Sequence, residues 1–88
     1  MKKNNIINLI INLAKFIFSE TEFNKFLSFV KLKLYTNMRI YVEEKVKYLK
    51  TKVVLYKDNA IFEAQLKKSI KLDNIVTDLY INSLETVT

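Results

Sequence analysis

Neither glycine nor proline occurs anywhere in this chain of 88 residues. Its elements must therefore be bounded by Asn, Asp, Ser and Thr, whose short polar side chains cap helices and close tight turns. The same absence removes every glycine-built phosphate cradle, from the dinucleotide fingerprint to the P-loop, and the nucleophile elbow as well. Histidine and cysteine are missing too. With them go disulfides, thiolate metal sites, the usual zinc ligand, the usual general base and every Ser-His or Cys-His pair. The expectation is one domain over residues 1–88, cytoplasmic, not an enzyme, with no metal and no cofactor. Half of the residues are hydrophobic, enough for one small core.

Polar residues at Asn5, Asn8, Asn12 and Lys15 leave an otherwise apolar stretch between them, which predicts a mostly buried helix over 5–18. The run is too short and too polar to span a bilayer, and its interruptions argue against a signal peptide, so no membrane partner is expected. Ser19-Glu20-Thr21-Glu22 is a helix-start signal, and Phe23, Phe26, Leu27 and Val30 carry a second helix over about 21–30. Lys31 to Tyr35 is expected to be a connector. Thr36-Asn37 should cap a third helix with Met38, Val42, Val46 and Leu49 as its buried stripe, ending at Lys50-Thr51-Lys52. Val53-Val54-Leu55-Tyr56 is β-branched and aromatic, Lys57-Asp58-Asn59-Ala60 is a turn signal, and Ile61 to Leu66 fits a returning strand. Asp73-Asn74 then caps a last helix carrying Ile75, Val76, Leu79, Tyr80 and Leu84.

Net charge is +6 and unevenly placed. Residues 31–71 hold eleven basic and four acidic side chains, whereas residues 73–88 hold only acids. A basic middle of this kind suits a polyanion. The stretch from Tyr41 to Ala64 resembles the recognition helix and wing of winged helix-turn-helix proteins, through Val46-Lys47-Tyr48-Leu49-Lys50, the Val-rich strand and the Lys57-Asp58-Asn59 tip. The resemblance covers roughly residues 20–67, and the glycine usual between recognition helix and wing is absent. It implies an α+β winged-helix fold and sequence-preferring binding of double-stranded DNA, as a small plasmid or phage repressor or a tubulin-type partition adaptor.

On that expectation Thr36, Asn37, Arg39, Ile40 and Tyr41 lie at the start of the recognition helix. Asn37 can pair with adenine, Arg39 with guanine, and Ile40 can touch a thymine methyl. Lys47, Lys50, Lys52 and Lys57 would line the phosphates, and Asn59 would meet DNA from the tip of the wing. The first and last helices carry more apolar surface than one small protomer can bury. A two-fold homodimer through Leu9, Ile10, Leu13, Phe16, Ile17, Leu79, Tyr80 and Leu84 is therefore expected. Against this stand a plain solvated lysine surface, a small inhibitor that binds a second protein, and an all-helical, immunity-like bundle in which 45–66 is helix. Glu43-Glu44 diverge on a helix and make a poor acid/base pair, and Phe23, Phe26 and Phe29 read as core.

Overall fold

The computed structural model describes residues 2–87, and the side chains of 5–84. Four helices follow one another: α1 (Lys2–Ile17), α2 (Glu20–Lys31), α3 (Tyr35–Leu55) and α4 (Ala60–Val87). Among the described residues there is no strand. The fold is an all-helical bundle, and the expected α+β winged helix is overturned. Successive helices run antiparallel, and α1 closes the ring against α4, where the Gln65 side-chain amide donates to the carbonyl of Phe16 (3.0 Å).

In α1 the polar stripe Asn5, Asn8, Asn12 and Lys15 faces solvent, while Ile10, Leu13, Ala14 and Ile17 are buried. Ser19 and Glu22 form a reciprocal cap on α2. The Glu22 backbone N–H donates to Ser19 Oγ (3.3 Å), and the Ser19 N–H donates to Glu22 Oε1 (2.9 Å). At the other end of α2, Lys33 stands in the left-handed region (φ 58). The N–H of Lys33 donates to Val30 O and that of Leu34 to Phe29 O. This is the helix-ending arrangement that glycine usually occupies; with no glycine in the chain, a lysine takes it.

The buried stripe of α3 is the expected Met38, Val42, Val46 and Leu49. Its boundaries differ. The helix starts at Tyr35 with no side-chain cap, so Thr36 and Asn37 lie inside its first turn, and it runs on to Leu55. Val53-Val54 are helical because strand preference reflects fit to a half-buried sheet, and the described residues offer no partner strand. The stripe simply continues, from Leu49 to the half-buried Val53. The turn signal at 57–59 does reverse the chain, but between helices. Asn59 Oδ1 accepts from the N–H groups of Ile61 (2.9 Å) and Phe62 (3.2 Å) and so caps α4. The expected return strand 61–66 is the start of α4, which passes through Asp73-Asn74 without a break.

The core joins Phe18 and Phe26 to Met38, Val42 and Val46 of α3 and to Leu72 and Val76 of α4. Tyr41 sits among Phe18, Phe26 and Phe29, with centroids 5.3, 6.4 and 5.7 Å away. Helix lengths decide the rest. At 1.5 Å per residue, α4 is about 42 Å long, α1 about 24 Å and α2 about 18 Å. The molecule is accordingly a rod of 46 × 22 × 22 Å. The α1–α2 corner at Phe18-Ser19 reaches only part of the way along the α3–α4 hairpin. No residue from 50 to 68 is buried.

Candidate functional site

Beyond the corner, the hairpin keeps the face that would have been core had α1 and α2 been longer. That face forms a ledge. A cleft of about 630 Å³ lies where ledge and corner meet, lined by Ile17, Phe18, Ser19 and Glu22 on one side and by Tyr41, Glu44, Lys45, Tyr48, Leu49, Phe62 and Gln65 on the other. Lys45 crosses it. Its ammonium lies 2.9 Å from Glu22 Oε1, 5.8 Å from the Phe18 ring and 4.8 Å from the Tyr48 ring. Burial alone would raise the Glu22 carboxyl; hydrogen bonds from the Ser19 backbone and from Lys45 outweigh it and hold the group below its ordinary value. Burial and the carboxylates of Glu22 and Glu44 push the Tyr41 phenol up, so it stays protonated.

Outward from the cleft the same alternation continues. The Lys52 ammonium lies 5.3 Å from the Tyr48 ring and 5.4 Å from the Tyr56 ring, and Tyr56 lies 5.7 Å from Phe62. Spacings of three and four residues along α3 place Lys45, Tyr48, Lys52 and Tyr56 in one row. The ammonium groups themselves lie over the rings, and so hold positive charge on aromatic surface outside the core. Past the row, the hairpin end exposes Val54, Leu55 and Ile61, each about two-thirds accessible.

The residues expected to touch DNA do not form one site. Thr36 and Asn37 are exposed at one end of α3 and Lys57 at the other, about 30 Å away by helical rise. Arg39 is turned inward over the Tyr80 ring (4.8 Å) with Nε unpartnered, and is not presented to a groove. Tyr41 belongs to the aromatic core and Asn59 is a cap. Ile40, Lys47 and Lys50 are exposed, and Lys52 is half-buried on its two rings. Of the expected dimer residues, Ile10, Leu13 and Ile17 are buried within the protomer, Leu79 and Tyr80 are half-buried, and only Leu9, Phe16 and Leu84 are exposed. Within the protomer α4 covers Ile10, Leu13 and Ile17 of the first helix, while Ile6, Leu9 and Phe16 of α1 and Ile81 and Leu84 of α4 stay exposed.

No family model, curated protein or solved structure matches the chain.

Among the described residues no cluster of acidic side chains could hold a metal, and no helix is long and apolar enough to cross a membrane. Sequence reasoning missed the row of lysines and rings on α3. The signal was present as Lys45, Tyr48, Lys52 and Tyr56, but it is visible only if the helix continues past Lys52.

Proposed function

We propose that this protein binds nucleic acid, without catalysis, through the basic end of the α3–α4 hairpin. One observation carries this: residues 44–71, which make up that end, hold eight lysines against three acids, net +5 of the chain's +6. Lys47, Lys50, Lys57, Lys67, Lys68 and Lys71 are exposed there. Lysine is a flexible point charge suited to phosphate, and contacts of this kind release counterions and make binding depend on salt. The inward turn of Arg39 favours recognition of the phosphate backbone over a helix that reads base edges. Titration of labelled polynucleotides at several salt concentrations tests the proposal. Affinity should fall steeply with salt, and reversing Lys67, Lys68 and Lys71 to Glu should abolish it, whereas Lys25→Glu on α2 should change little. Binding that ignores salt, or none at all, would sink it.

A second reading rests on Val54, Leu55 and Ile61. Three exposed aliphatic side chains at the hairpin end suit the apolar pocket of a partner protein. That reading gains if polynucleotide binding fails and a V54S/L55S/I61S variant loses capture of a partner that the parent retains.

A further inference from the structure

We propose that the nucleic acid is single-stranded, and that its bases stack on Tyr48 and Tyr56 along the ledge of the hairpin overhang. This rests on the nucleic-acid reading and specifies its ligand. The charge around the hairpin end would attract any polynucleotide, but the ledge itself is built differently from the rest of that end. Its rings reach solvent: Tyr48 is 50 % and Tyr56 51 % exposed, in one row with the half-buried Lys45 and Lys52. Lys52 lies over both rings, within 5.4 Å of each centroid, and Lys45 lies over Tyr48 at 4.8 Å. A stacking base takes the place of these ammonium groups, whose flexible stems let them turn to the neighbouring phosphates.

Tyr48 and Tyr56 are separated by two helical turns, about 12 Å of rise, which a stretched strand covers in a few nucleotides. The cleft at the corner then offers Phe62 and Tyr41 at one end of the path, and the turn with Lys57 lies at the other. A duplex hides its base faces and cannot use rings; an unpaired strand can, and base–aromatic stacking is indifferent to sequence because every base has a π-face. An aliphatic partner helix would call for Leu or Ile on this ledge, where the chain has Tyr and Lys. Glu44 on the rim of the cleft sets the path's direction, since phosphates avoid it and run towards Lys52 and Lys57.

Binding of the full chain is measured with three probes of equal length, about fifteen nucleotides: oligothymidine, an abasic strand with the same phosphates, and a duplex. Oligothymidine should bind at least about fivefold more tightly than the abasic strand, and should quench tyrosine emission where the abasic strand does not. Tyr48→Ala and Tyr56→Ala should each cost oligothymidine about fivefold or more while leaving the abasic strand unchanged. Tyr48→Phe and Tyr56→Phe should restore binding, which a lost hydroxyl bond would not allow. Helicity by circular dichroism confirms that each variant folds. If all three probes bind alike and the alanine variants are silent, the stacking proposal is overturned while nucleic-acid binding stands. If no probe binds, both fall.

Discussion

The guanidinium of Arg39 on α3 lies 4.8 Å above the ring of Tyr80 on α4, in a half-buried position with its Nε unpartnered. A cation over an aromatic face in a partly dry site is worth about 0.5–2 kcal/mol. Arg39→Ala should therefore lower unfolding stability by about 1 kcal/mol, and Tyr80→Ala by more, since a half-buried ring is lost as well. Neither should alter affinity for oligothymidine at saturating folded protein. Urea unfolding followed by circular dichroism gives the first quantity and titration the second.

Lys33 takes a backbone conformation that costs a side-chain-bearing residue roughly 1 kcal/mol or more. Lys33→Gly should stabilise the protein by up to about 1 kcal/mol, the relief of strain exceeding the added freedom of the unfolded chain. Lys33→Val, whose branched side chain tolerates that conformation poorly, should destabilise it. Denaturation midpoints of the two variants should lie on opposite sides of the parent's.

Two carboxyls give opposite dependences on pH. Asp73 is raised by burial and by Glu43, only partly offset by Arg39 and Lys50. Its ionised form is disfavoured in the folded state, so stability is lowest above its folded pKa and recovers as pH falls through it. Asp73→Asn should stabilise the protein at neutral pH, and the gain should shrink in acid. Glu22 is lowered, so its contribution is full above the ordinary carboxylate range and is lost as pH falls through that range and then through its depressed value. Glu22→Gln should cost stability at neutral pH and little in strong acid. Denaturation series at several pH values check both signs.

Ser69 is fully buried, yet its hydroxyl donates to the Leu66 carbonyl of its own helix (2.7 Å). That carbonyl keeps its helical partner without the hydroxyl. Ser69→Ala should thus be within about 1 kcal/mol of neutral, whereas Phe26→Ala, emptying the largest fully buried site, should cost about 3–5 kcal/mol. A large loss at Ser69 would place another partner on its hydroxyl.

Ser69 also explains why α4 was hard to read. Its buried positions include Ser69, Leu72 and Val76, with Phe62 and Leu66 half-buried above them. A serine in the middle of the stripe broke the hydrophobic period, and Asp73-Asn74 imitated a cap. Elsewhere the pattern was legible. The asparagine stripe of α1, the Ser19 cap and the α3 stripe from Met38 to Leu49 each follow from spacing alone. Val53-Val54 misled because a β-branched pair carries a weak preference that a continuing helical face overrides. The ledge was illegible for a different reason: it depends on where α1 and α2 stop relative to the hairpin, which no local window contains.

The chain's connections of two to four residues join helices that then lie side by side. Most contacts are therefore close in sequence, the condition under which domains fold in microseconds to milliseconds. With no proline, no slow peptide-bond isomerisation intervenes. The exception is the docking of α1 on α4, which brings together Phe16 and Gln65, 49 positions apart. Closing that loop carries the largest entropic cost in the molecule, so the hairpin should form early and the first helix should dock last. The ledge would then gain its closed end, at Phe18, only in that final step.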